Sequence, residues 1–145
     1  MEPKTTEELI HEIKIATDID DYLIENKENM LSQRLPEYLT LLLENKGISR
    51  ADVVRGSLLD RAYVYQIFSG EQSPSRDKLI ALAFGLCLSD EETQKMLKLS
   101  CNRELYARDE RDALILFALQ QQMTIFETNE ILADHNMALL GVQNE

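Results

Sequence analysis

Two histidines and two cysteines are the first side chains to weigh for metal ligation or nucleophilic chemistry. His11 and His135 stand alone, with no neighbouring ligand pattern, and no metal site is expected from them. Cys87 and Cys101 are too few for a disulfide scaffold and are not spaced as a metal knuckle. Cys87 falls in the apolar stretch LIALAFGLCL, which predicts a buried thiol acting as a small hydrophobe. The chain holds no Gly-rich phosphate loop, no GxSxG and no HExxH, and its scattered carboxylates fit helix caps and solvated faces. Neither an enzyme nor a cofactor is expected.

Charge placement is more informative. Lys and Arg number 15 against 26 Asp and Glu, a net charge of −11, which argues against broad coating of phosphate surfaces or anionic membranes. Residues 1–31 carry 3 basic and 9 acidic side chains, and residues 79–145 carry 5 and 11. Only residues 50–78 come out positive, with 5 basic against 4 acidic, and turn residues are densest there. This segment is the candidate working surface. Within it, Gln66 lies between the apolar Val64, Ile67 and Phe68 and must face outward. Tyr63 and Tyr65 cannot both be buried on the stripe of Val64, so at least one is exposed.

The elements that must hold this segment read as helices throughout. A chain of 145 residues that is 44% apolar predicts one compact domain, or a small domain with a helical appendage. Its 5 glycines and 3 prolines are too few for a turn-rich sandwich or barrel. Two short polar helices are predicted over about 5–15 and 18–30. Leu35, Tyr38, Leu39 and Leu42 then fall at i, i+3, i+4 and i+7 on a core helix ended by Gly47. Ser49 and Asp52 form a capping box for a short helix, and Asp60 caps the next, whose Val64, Ile67 and Phe68 make the apolar stripe before Ser69 and Gly70. A helix over about 76–86 carries Leu79, Leu82, Ala83 and Leu86 inward. Ser89 with Glu92, Asp109, and Thr124 with Glu127 open three more, the last two forming a hairpin over 109–136. No apolar run reaches the roughly 18 to 20 residues of a membrane span, and the first residues lack a signal-peptide pattern, so a cytoplasmic protein with no membrane partner is expected.

Residues 35–86 resemble the helix-turn-helix domain of the phage repressor and Cro-like family, also called the xenobiotic-response-element family. The likeness is carried by the leading helix LPEYLTLLLENKGIS, the short ADVV, the capped DRAYVYQIF, the glycine of SG, the PS that restarts the chain, and KLIALAFGL. It implies an all-α fold: a five-helix core, with an N-terminal helical arm at 1–33, the DNA-binding core at 34–100 and a C-terminal helical hairpin at 101–145. It also implies a repressor-like transcriptional regulator that binds double-stranded DNA with its third helix in the major groove. Carried over by position, base contacts fall on Arg61, Ala62, Tyr65 and Gln66, where Arg can fork onto guanine, Gln can pair with adenine and the Ala methyl can meet a thymine methyl. Phosphate contacts fall on Arg50, Ser75, Arg76 and Lys78.

A homodimer is expected, because the family reads paired half-sites and helix 109–121 carries Leu114, Ile115, Leu116, Phe117 and Leu119, more than one face. The sequence departs from the family pattern at Leu58, where a glycine is usual at the turn, which predicts a rebuilt turn. Phe68 replaces a frequent glutamate, and Asp60, Glu71 and Asp77 border the surface. This acidity favours the alternative, an interaction module on the same scaffold that binds a protein through the tyrosine-bearing helix or the hairpin.

Overall fold

The computed structural model describes residues 4–26 and 34–141. The protein is all-α: the described residues form nine helices and no strand. They divide between two compact units, residues 1–32 and 33–145.

The first unit holds α1 (Thr6–Ile15) and α2 (Ile19–Glu25). Thr5 caps α1 by accepting from the Glu8 N–H, and Asp18 caps α2 by accepting from the Asp20 N–H. Tyr22 is buried, whereas Ile10, Ile13, Ile15, Ile19, Leu23 and Ile24 are exposed. The part of the expected second helix beyond residue 26 lies outside the described residues.

The second unit contains α3 (Leu35–Lys46), α4 (Arg50–Ser57), α5 (Arg61–Ser69), α6 (Arg76–Gly85), α7 (Asp90–Leu99), α8 (Glu110–Gln120) and α9 (Ile125–Asp134). Every helix of this unit after α3 has a side-chain cap; α3 starts without one, with Pro36 in its first turn. Capping boxes form at Ser49 with Asp52, Ser89 with Glu92 and Thr124 with Glu127, and the side chains of Asp60, Ser75 and Asp109 each accept from a first-turn N–H. Such caps contribute about 1 kcal/mol apiece. Apolar burial then fixes how the helices pack. Leu39, Ile67, Leu79, Ile80, Leu82, Met96 and Leu97 are fully buried together with Ile115, Ile125, Leu132 and Leu140. At roughly 1.5 to 3 kcal/mol for each large side chain, this cluster is the main stabilising term. The hairpin α8–α9 therefore shares the unit and the core of α3–α7. Much of the apolar surface behind the dimer expectation, including Ile115 and Leu119, is covered by the chain itself.

The most extensive helix–helix contact among the described residues is α4 on α6. A Cβ on Gly85 would lie 2.5 Å from the Val53 carbonyl oxygen, so only the absence of a side chain lets the two backbones meet. Gly56 is consequently a packing residue of α4, with Gly85 Cα 3.0 Å from where its own Cβ would be. The turn between α4 and α5 is not rebuilt around Gly56. Leu58 itself takes the left-handed conformation, φ 58°, at a cost of roughly 1 to 2 kcal/mol. Leu58 packs against the core in return, and Gly141 covers the turn at φ 69°, where a Cβ would lie 2.2 Å from the Ser57 carbonyl oxygen. Asn129 holds this last segment through both backbone groups of Leu140, at 2.8 and 3.0 Å.

Cys87 corrects the sequence reading. It is exposed, with φ 55°, because the chain turns left-handed just after α6 and points Leu86 and Leu88 inward instead.

Candidate nucleic-acid interface

Helix α5 buries Val64, Ile67 and Phe68; at 100° per residue Ala62, Tyr65, Gln66 and Ser69 make the opposite arc, and Arg61 lies at its edge beside Phe68. Arg61, Ala62, Tyr65 and Ser69 are exposed and Gln66 is half-buried. All four residues expected to contact bases thus share one solvent-facing strip. Ser69 belongs to it too and was missed; its spacing of three from Gln66 and four from Tyr65 was the available signal.

Arg61 does not pair with its neighbour Asp60, whose carboxylate is engaged as the helix cap at 3.3 Å from the Tyr63 N–H. It reaches one turn along α5 instead, with its guanidinium 5.2 Å from the Tyr65 ring centroid and one Nη donating to the Tyr65 hydroxyl at 3.2 Å. The cation–π contact and the hydrogen bond together hold the guanidinium against the tyrosine on the surface.

Two further cations border the strip. Arg50 opens α4 and lies 5.4 Å from the Phe68 ring centroid, on the edge of α5 next to Arg61. Lys78, in the first turn of α6, lies 4.8 Å from the Tyr63 ring centroid, on the edge next to Gln66. Tyr63 is half-buried in the core and Tyr65 is the exposed tyrosine of the pair. Burial pushes the Tyr63 hydroxyl above its ordinary range, so it stays neutral under Lys78. Ser75 is exposed, but its hydroxyl already caps α6 at 3.4 Å from the Lys78 N–H.

Arg76 is placed differently from the expectation. Its guanidinium turns away from α5 into a bidentate pair with Asp112 of α8, at 2.7 and 3.2 Å. It also donates to the carbonyls of Arg103 at 2.7 Å and Glu104 at 3.0 Å. Four of its five N–H donors are committed inside the fold. The side chains are 18% exposed for Arg76 and 2% for Asp112. Burial tends to raise the Asp112 carboxyl, but the hydrogen bonds from Arg76 and the Tyr106 N–H, with the charges of Arg76 and Arg103, outweigh it and hold the group below the usual carboxylate range. Of the acidic residues bordering the strip, Asp77 is paired with Arg111 at 2.8 Å, which offsets its charge.

Among the described residues no group of three or more His, Cys, Asp or Glu is placed to hold a metal ion, and no helix is long and apolar enough to cross a membrane. No family model matches the chain, and no curated protein or solved structure matches it.

Proposed function

We propose that the protein is a repressor-like, sequence-specific DNA-binding regulator, acting as a homodimer in the cytoplasm, with α5 in the major groove and Arg61, Ala62, Tyr65 and Gln66 toward the bases. The observation that carries this reading is a strip of base-capable side chains with a cation on each border: Arg50 on one side, Lys78 on the other. A helix entering the groove runs between two phosphate backbones and needs that arrangement, with central side chains to read and flanking charges to position. The stack of Arg61 on Tyr65 restrains a guanidinium whose fork matches guanine O6 and N7. Arg76 is left out of the phosphate set, because its donors are already occupied.

A second reading, an interaction module, is favoured by one observation. Phe117 and Phe126 of the hairpin are about half exposed, at 48% and 56%, on a chain of net charge −11. Selection from a random duplex library at two salt concentrations separates the two. Enrichment of one motif supports the regulator. Failure to enrich any sequence at low salt, with a protein complex lost on Tyr65→Ala, supports the module.

A further inference from the structure

The first unit leaves an apolar side uncovered. Among its described residues Tyr22 is the one buried large hydrophobic, while Ile10, Ile13, Ile19 and Leu23 are each about half exposed. Helices of ten and seven residues are too short to hold in water without packing, and units below about 40 residues usually need a disulfide, a metal or association. Residues 1–32 contain no cysteine.

The four exposed side chains share one side. α1 and α2 are joined by residues 16–18 and fold back as a helical hairpin, with Leu9 and Tyr22 as the most covered apolar residue of each. At 100° per residue Ile13 and Ile10 follow Leu9 by about 40° and 100°, and Ile19 and Leu23 follow Tyr22 by about 60° and 100°. Offsets of the same sense on two antiparallel helices fall on the same side of the hairpin. Glu8 and Glu12 precede Leu9, and Asp21 and Glu25 precede Tyr22, by about 60° to 100°, so they fall on the other side. The hairpin therefore has an aliphatic side and an acidic side.

The charges at the edge select the occupant. Glu7 in the first turn of α1 and Lys14 in its last turn stand one turn to either side of Ile10 and within about 20° of each other, on one edge of the aliphatic side. Both are exposed, and the ion pair formed on α1 is that of Glu12 with Lys4. A second α1 laid antiparallel on the first, about a two-fold axis near residues 10 and 11, sets Ile10 on Ile10 and each Lys14 beside the other copy's Glu7. An isologous contact requires this self-complementarity. It also points the two acidic sides away from each other, where like charges do not meet.

We propose that two copies of the protein pair through the aliphatic sides of their α1–α2 hairpins, with Glu7 and Lys14 in reciprocal ion pairs. Helices of roughly 10 to 15 Å place the contact at the small end of specific interfaces, below about 1,200 Å² in all, so the pairing is reversible at micromolar concentration. The pairing rests on this face alone; its use, to bring two copies of α5 to paired half-sites, rests on the DNA-binding reading.

Sedimentation equilibrium of the full chain tests the pairing. A monomer–dimer equilibrium in the micromolar range is expected. Ile10→Asp weakens it at least tenfold, whereas Ile15→Asp, the same change on α1 but off the aliphatic side, leaves it within twofold. Glu7→Lys and Lys14→Glu each weaken self-association severalfold, and an equimolar mixture of these two variants pairs as tightly as wild type, because each supplies the sign that the other lacks. The unfolding midpoint of the second unit, whose core contains none of these residues, is unchanged. A monomer throughout the micromolar range, a dimer indifferent to Ile10→Asp, equal weakening by Ile10→Asp and Ile15→Asp, or a mixture no tighter than its separate variants overturns the proposal. So does a dimer lost on Phe117→Asp and kept in Ile10→Asp, which places the contact on α8. A dimer with the expected behaviour and no selected duplex keeps the pairing and removes the regulator reading; a selected duplex bound by a chain that stays monomeric removes the pairing and keeps base reading.

Discussion

The N-termini of α5 and α6 are built from one sequence pattern, a capping side chain followed by an arginine: Asp60 then Arg61, and Ser75 then Arg76. Both arginines stand at the first helical position, where the dipole gives a cation no advantage. Arg61 lies on the surface and stacks on a tyrosine of its own helix, while Arg76 turns inward to a carboxylate from α8. The difference is made by what faces each helix start. Beside Arg76 there is a buried acceptor and two free carbonyls; beside Arg61 the nearest carboxylate is already the cap. One pattern therefore produces a surface group available for binding and an internal tie that holds α6 to α8.

The comparison is broken most severely at Arg76. Arg76→Ala leaves Asp112 buried without its cation, and the expected loss is about 3 to 5 kcal/mol, seen as a lower midpoint in urea denaturation. Retention of wild-type stability would place the tie outside the fold's supports. Acid sharpens the same point. The Asp112 carboxyl is depressed in the folded protein, so its contribution is complete above the unfolded value, about 3.9, and is lost as pH falls through the lower folded value. The stability difference between wild type and Asp112→Asn should be flat above about pH 5 and shrink below pH 4. A difference constant down to pH 2 would contradict the assignment.

At the other arginine the effect moves from folding to binding. Arg61→Ala or Gln66→Ala should cost about 1 to 3 kcal/mol on a preferred duplex and relax selection at one base position, with denaturation within about 0.5 kcal/mol of wild type. Equal affinity for all sequences before and after substitution would show that these side chains do not read bases. The smallest change is expected at the borders. Lys78→Ala or Arg50→Ala should weaken every duplex alike and reduce the salt slope by about one unit, because a phosphate contact carries no sequence information.

The sequence disclosed the helices because their signals are local. Ser49 with Asp52, Ser89 with Glu92 and Thr124 with Glu127 each close within one turn, and each box forms. The exposed arc of α5 was legible for the same reason, since three inward apolar residues determine which ones face out. Arg76 was misplaced because its partner Asp112 lies 36 residues away, on a helix whose relation to α6 no periodicity expresses. Cys87 was misread because an apolar run does not show where a left-handed residue turns one side chain out. Leu58 is similar: the missing glycine suggested a different turn, but packing against the core and cover from Gly141 hold a leucine in the left-handed conformation.

The seat of Gly141 over Ser57 and Leu58 also sets an order of events in folding. Capping boxes and single helices form over a few residues, but this contact joins the turn before α5 to the segment after α9 and closes a loop containing all of α5 to α9. Loop closure of that length is entropically costly and depends on contacts made first along the way. The α4–α5 turn should therefore be sealed late, after the hairpin has docked. In pulsed hydrogen exchange during refolding, the Leu59 amide, bonded to the Ser57 hydroxyl at 3.3 Å, should gain protection after the amides inside α6 and α8. The rate-limiting step for a competent α5 would then lie outside α5 itself, in the arrival of a segment that contributes no side chain to its exposed strip.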